Sequence, residues 1–243
     1  MTHPTTSALP PELDHPAWLH GHSAFTSVRL HWGEAQFWPQ HRARLADTAA
    51  LLGLNAPQGT LMVPAAAHAL EYALLRLTLT PQGMFVSWRP LPGAATPPSG
   101  LHALLTAQQV HPQWGLHKTG NYLPYLLALQ DARKAGADEG LLINVQGEVV
   151  DGSRSGLLLR LGGRLTVPDG GLPSVTRAAH LAQQGEPFDV RPITQADLRD
   201  AEAIWLCGSG LGLRPVTRVS AAAWKQGYAA EWLDTAHPGL LAL

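Results

Sequence analysis

The chain has one cysteine, Cys207, among 243 residues. No internal disulfide can form, and no metal site can be built from several thiolates. Such usage fits a reducing compartment, with the cytoplasm as the expected location. Charge is scarce too, at 14% Asp, Glu, Lys and Arg, against about 25% in an average soluble domain. Seventeen basic side chains oppose eighteen acidic ones, so nothing in the balance suggests a nucleic acid or an anionic membrane as partner. Any anion must be caught locally, by a few groups. No apolar run approaches the ~18 residues of a membrane span, and Met1 to Leu19 lacks the basic start and apolar stretch of a secretion signal. Internal repeats, low-complexity tracts, a His-Glu-x-x-His pair and a Gly-x-Gly-x-x-Gly loop are also missing. The 12 histidines, His15, His20, His22 and His31 among them, show no regular ligand spacing, which points to scattered surface histidines and no metal.

What is present are 24 glycines and 20 prolines, spread along the chain as turns between short elements. An irregular, proline-rich arm is expected over Thr2 to Pro16. Alternation then predicts a hairpin, Phe25 to Leu30 and Ala35 to Trp38. Leu45, Ala49 and Leu52 recur at helical spacing between Gln40 and Gly53. Tyr72 to Thr80 and Met84 to Trp88 form a second antiparallel pair about Pro81-Gln82-Gly83, and Leu101 to Val110 is one more strand. Beyond it the pattern predicts helices at Asn121 to Ala135, Val175 to Gln184, Gln195 to Asp200 and Ala221 to Leu233. Strands are predicted at Leu141 to Val145, Glu148 to Val150, Leu157 to Leu161, Ala203 to Leu206 and Pro215 to Val219. Two α/β domains are therefore expected: residues 1–110, of which 1–20 are arm, a crossover at 111–115, and residues 116–243.

Three lysines, Lys118, Lys134 and Lys225, stand against fourteen arginines. Lys134 ends an apolar helix beside Arg133, where a cation complements the helix dipole. Lys225 sits in an equally ordinary setting. Lys118 lies at the junction between the crossover and an apolar helix, where a lysine can enter an interdomain cleft; by position alone a solvated loop lysine fits as well. Cys207, beside strand residues, reads as a small buried apolar side chain.

The run from Lys118 onward resembles the pyridoxal-phosphate enzymes of aminotransferase class IV. The match begins at Phe25-Thr26-Ser27-Val28-Arg29 and continues through His41-Arg42-Ala43-Arg44-Leu45, Lys118-Thr119-Gly120-Asn121-Tyr122, Asp138-Glu139-Gly140 and Val150-Asp151-Gly152-Ser153. It ends with Val175-Thr176-Arg177, Ala201-Glu202 and the stretch from Cys207 to Val216. The resemblance implies the two-domain, D-amino-acid-aminotransferase-like α/β architecture of fold type IV, with pyridoxal 5'-phosphate (PLP) as cofactor. It also implies roles. Lys118 would condense with the cofactor aldehyde and then serve as acid and base, which calls for a partly desolvated amine. Arg44, the backbone N–H groups of Val175 and Thr176 at a helix start, the Thr176 hydroxyl and Ser209 would hold the phosphate. Asp151 would face the pyridine nitrogen in place of the family's Glu. Tyr122 would bond the ring oxygen or the lysine, or only pack. Read singly, Arg44 is also a solvated helix face, Thr176 a helix cap, Ser209 a loop filler and Asp151 a turn residue. Gly156 replaces a frequent Asn, and the family's first strand looks remodelled around Leu19 to Ala24.

Within the family, Phe25-Thr26-Ser27 and the spacing of Lys118 to Asn121 best resemble aminodeoxychorismate lyase of the folate pathway. That implies conversion of 4-amino-4-deoxychorismate to 4-aminobenzoate and pyruvate, with Thr26, Ser27 and Arg89 at the substrate. A transaminase for branched-chain or D-amino acids would use the same lysine, and a non-catalytic relative would bind without turnover. The family also implies a homodimer.

Overall fold

The computed structural model describes residues 9–91, 100–221, 224–229 and 233. The expected arm lies partly outside these residues; its described end carries one short helix, α1 (Pro16–Leu19), with proline in its first turn and the His15 ring accepting from Ala17 N. The first sheet has the order β2-β1-β3-β4, built from β1 (Ala24–His31), β2 (Glu34–Ala35), β3 (Tyr72–Thr80) and β4 (Gly83–Pro90), all antiparallel. One face of it carries Ala24, Val28, Leu30, Ala73, Leu75, Leu77 and Leu79, which pack on Leu45 and Ala49 of α2 (Trp38–Leu51). β2 stops at Ala35 and does not reach Trp38 as the alternation predicts. Pro39 is the reason: its fixed φ and missing N–H suit the first turn of a helix, so Trp38 opens α2.

The second sheet has nine strands. Its path β10-β9-β8-β11-β12-β5-β6-β7 uses β5 (Leu101–Gln109), β6 (Glu139–Ile143), β7 (Val149–Gly152), β8 (Gly156–Leu161), β9 (Arg164–Pro168), β10 (Phe188–Arg191), β11 (Ala203–Gly208) and β12 (Gly212–Ala221), with β13 (Trp224–Gly227) added to β12. Its main core joins Leu101, Ala103, Leu141, Leu157, Leu159, Ile204, Leu206, Val216 and Val219. The helices α3 (Leu123–Lys134), α4 (Val175–Gln184) and α5 (Gln195–Asp200) follow the periodicity closely. β5 pairs with β12 and β6, so the change of sheet falls between Pro90 and Leu101, before the crossover at 111–115. Ala221 to Leu233 is not the expected helix in its described part. Ala221 ends β12, and Trp224 to Gly227 pair antiparallel with it while Trp224 and Tyr228 pack on the core. Aromatics four apart satisfy both periods, and the free edge of β12 decides. The rest of that stretch lies outside the described residues. β9 and β10, missed by the alternation, form the outer edge of this sheet.

Among the described residues no helix is long and apolar enough to cross a membrane, and no group of three His, Cys, Asp or Glu side chains is placed to hold a metal ion.

Candidate active site

A cleft of about 290 Å³ opens between the two sheets. Side chains alternate along a strand, so the face of the first sheet turned away from α2 supplies Phe25, Ser27, Leu74, Arg76 and Arg89. The second half supplies Lys118, Tyr122, Asp151, Val175, Thr176 and Ser209, and α2 supplies His41 and Arg44. Ten of the eleven side chains named from sequence thus reach one cavity or its rim, counting His41 with them. Thr26 does not. The pleat puts it on the opposite face from Ser27, fully buried, where its hydroxyl accepts from Arg44 Nη2 at 3.0 Å and meets His41 Nδ1 at 2.9 Å. A buried side chain so committed holds the site's walls and does not touch a substrate.

Lys118 is held by its backbone. Its carbonyl accepts from Phe25 N at 2.9 Å, and Gly120 N donates to Ser23 O at 2.8 Å. A Cβ on Gly120 would stand 2.5 Å from Ser23 Oγ and 2.7 Å from Gly21 O, so the close approach of this loop to β1 requires glycine. The amine lies 3.1 Å from Tyr122 Oη and 4.6 Å from the ring centres of both Phe25 and Tyr122. Tyr122 stacks on Tyr125 at 4.2 Å. Desolvation first, then the nearby Arg44, push the lysine's pKa well below its ordinary value, while Asp151 works the other way. Burial raises both tyrosines, which stay protonated.

Asp151 is buried at the end of β7. Its carboxylate accepts from Gly152 N at 3.0 Å and Leu172 N at 3.1 Å, and burial pushes its pKa upward against those bonds. Opposite, α4 starts at Val175 behind the Ser174 cap, whose hydroxyl accepts from Arg177 N. Its first-turn N–H groups have no intrahelical acceptor. Arg44 reaches across from α2, Nη1 donating to Pro173 O at 2.8 Å, and its buried Nε has no hydrogen-bond partner in the structure. Burial lowers this guanidinium to about 10, which leaves it cationic at neutral pH.

A phosphorylated pyridine aldehyde fits these residues. A reactive amine, a buried carboxylate and an anion cup made of Arg44, a helix start and Ser209 share one cavity, and the orphaned Arg44 Nε is a donor in want of an acceptor. PLP would be held there by Arg44, Val175, Thr176 and Ser209, with Lys118 at the aldehyde and Asp151 at the ring nitrogen.

Several contributors escape the sequence reading. Arg76 stacks 3.6 Å above the Phe25 ring; an arginine in an alternating strand gives no signal beyond a solvated face. Glu139, quoted only as a motif, is a buried clamp on the loop 153–155. Gly156 has a local explanation. A Cβ there would stand 2.6 Å from Ser174 Cβ and 3.3 Å from Arg177 Nη1, and Arg177 itself is buried, donating to Leu157 O at 2.8 Å. The space an asparagine would need is filled. Gly156→Asn is therefore expected to destabilise by about 1–3 kcal/mol through overpacking, read as a lower midpoint of thermal unfolding; an unchanged midpoint would refute this account.

Known proteins share this fold. Residues 23–219 match the family model described as amino-transferase class IV. A crystal structure provisionally named 4-amino-4-deoxychorismate lyase is 36% identical, with a TM-score of 0.71 over 88% of this chain and 89% of its own. A hypothetical aminotransferase from Mycobacterium tuberculosis in its PLP-bound form, 21% identical, shares the fold with a TM-score of 0.75 over 94% and 90% of the two chains. The aminodeoxychorismate lyase of Vibrio harveyi is 27% identical over 46% of this chain; matches to curated relatives span only 34 to 44% of those proteins' lengths. The chain belongs to the amino-transferase class IV family, whose members are PLP-dependent enzymes of fold type IV.

Proposed function

We propose that the protein is a PLP-dependent lyase that converts 4-amino-4-deoxychorismate to 4-aminobenzoate and pyruvate. The observation that carries this reading is that Arg76 of β3 and Arg89 of β4, offset from each other by two residues in the register, both line the cleft that holds Lys118. The proposed substrate presents one amine and one carboxylate on a small ring and a second carboxylate on its three-carbon side chain, and two guanidiniums lining the cleft of a reactive amine match that pattern. The likeness to the structure at 36% identity supports the same choice.

Bound PLP supplies an aldehyde that captures the substrate amine and a ring that takes up the electron pair of the broken C–H bond. The chain's own residues do the rest. Lys118, its pKa lowered by burial and by Arg44, offers a neutral amine to remove the proton from the amine-bearing carbon. Tyr122, kept protonated, stands 3.1 Å from that amine and orients it. Asp151 holds a proton at the ring nitrogen. Arg76 and Arg89 anchor the carboxylates, with Ser27 on the cleft face of β1, opposite Arg76, as a hydrogen-bonding partner. The departing three-carbon fragment leaves as pyruvate and takes up the hydrogen removed from the ring, so the atoms of the substrate divide completely between two products and no second substrate is consumed.

The proposed protein acts in the cytoplasm, in the folate pathway, as a homodimer. Met84, Phe85, Val86 and Trp88 of β4 and Leu123 and Leu126 of α3 are exposed apolar side chains beside the cleft, a surface suited to a second copy. The test is to supply the PLP-loaded protein with 4-amino-4-deoxychorismate and no keto acid. Equal amounts of pyruvate and 4-aminobenzoate are expected, from a species of twice the 26.0 kDa chain mass. Keto-acid-dependent amino transfer from branched-chain or D-amino acids without pyruvate release would instead make it a transaminase, and no turnover of either kind would make it a binding protein.

A further inference from the structure

Behind the anion cup, four side chains form one chain of hydrogen bonds. Arg44 Nη2 donates to Thr26 Oγ1 at 3.0 Å, Thr26 Oγ1 lies 2.9 Å from His41 Nδ1, and His41 Nε2 lies 3.4 Å from Ser209 Oγ. Thr26 and His41 are 0% and 1% exposed, so bulk water does not reach the middle of it. The direction of each proton then follows from one fixed end. A guanidinium has donors only, so the Thr26 oxygen accepts from Arg44; among the described residues His41 Nδ1 is the one other group placed against that hydroxyl, so a Thr26 proton that is to have an acceptor goes to Nδ1. Nδ1 is thereby the acceptor, and a neutral imidazole with a bare Nδ1 carries its proton on Nε2. That N–H points at Ser209 Oγ, which receives within the chain and keeps its own O–H unspent. Ser209 and Arg44, the two ends, both line the cleft.

We propose that His41 is a positioning residue, locked by Arg44 through Thr26 as the Nε2–H tautomer, which turns the Ser209 hydroxyl into a donor for the phosphate of PLP. The proposal rests on the reading of the cleft as a PLP site. Its surroundings keep the imidazole neutral: burial, then Arg44 on its own helix and Lys118 from the facing loop, hold it at about 3. From β1, Thr26 occupies Nδ1, and Arg29 Nε donates to the Ser209 carbonyl at 2.8 Å, so the serine's backbone is pinned while its hydroxyl is aimed. A cationic His41 would have two donors and no acceptor for Thr26, and the direction of the chain would be lost.

Two measurements on the full-length protein test this. In the first, ¹⁵N spectra of histidine-labelled protein without PLP are expected to show one ring protonated at Nε2 only, identified by its loss in His41→Gln. It should not titrate between about pH 5 and about pH 8, whereas exposed histidines do so near 6.5. In the second, PLP and pyridoxal, which lacks the phosphate, are titrated by their visible absorbance. Ser209→Ala and His41→Phe are each expected to weaken PLP about tenfold and leave pyridoxal unchanged, with the double variant no weaker than either single one. His41→Gln, whose amide can accept at one end and donate at the other, should recover most of the PLP affinity. An Nδ1–H tautomer, a His41 titrating near 6.5, or equal losses for PLP and pyridoxal would overturn the proposal. A wild-type protein with no preference for PLP over pyridoxal would sink the cofactor reading itself, whereas a wrong tautomer with that preference intact would sink the relay alone.

Discussion

Lys118→Ala is expected to abolish covalent capture of PLP and lower turnover by ~10³-fold or more, while changing folding stability by no more than about 1 kcal/mol. Two opposing contributions leave that small remainder. The amine packs over Phe25 and Tyr122 at 4.6 Å, which stabilises it, but burial and the neighbouring Arg44 and Arg76 disfavour its charge, which destabilises it. The anion cup does not include this residue, so PLP should still bind, reversibly and without the absorbance of the attached form. A variant that keeps the attached-form spectrum would show that another amine does the chemistry.

The pH dependence carries a sign for each neighbour. Attachment needs the neutral amine, so its rate rises with pH and levels off well below the ~10.4 of a free lysine. Arg76 lowers the lysine's pKa and Asp151 raises it. Arg76→Met should therefore move the rising limb to higher pH, and Asp151→Asn should move it to lower pH. Shifts of the same sign in both variants would mean that the limb reports some other group.

How legible the site was differs from residue to residue. Lys118 stood out because only three lysines exist and it alone sits where a crossover meets an apolar helix. Arg44 and His41 were visible as parts of one motif on a predicted helix, and Val175 and Thr176 as the start of another. The relation between Thr26 and Ser27 was not, since their division between wall and cavity depends on which face of β1 packs on α2. Arg76 was hidden for the same reason: alternation says that it leaves the core, not what it leaves the core for. Ser209 reached the cup through the β11–β12 turn, a placement fixed by strand pairing between residues far apart in sequence. Gly156 could be noticed as a departure but not explained, because its neighbours Ser174 and Arg177 come from another element.

Glu139 shows the limit most sharply and carries the largest expected effect on folding. The carboxylate is 0% exposed and accepts from Ser153 Oγ at 2.8 Å, Ser155 Oγ at 3.2 Å, the backbone N–H of Arg154, and Arg154 Nε and Nη2 at 3.0 and 2.8 Å. These bonds fold the loop that follows Asp151 back onto β6. Glu139→Ala would leave two buried hydroxyls and one N–H without their acceptor, while the Arg154 guanidinium keeps the Asp138 carbonyl at 2.8 Å, so a loss of about 3–5 kcal/mol is expected, or on the order of 10 °C in the thermal midpoint for a chain of this size. PLP affinity should fall with it, because Asp151 loses the support of its own loop. Arg154→Ala distinguishes the causes. Its side chain is 44% exposed, an ion pair reaching solvent is worth little, and the carboxylate would keep its backbone and hydroxyl donors. A loss of about 1 kcal/mol is expected there. Equal losses from the two variants would mean that the ion pair holds the loop, and that the hydroxyls and the backbone N–H are incidental to it.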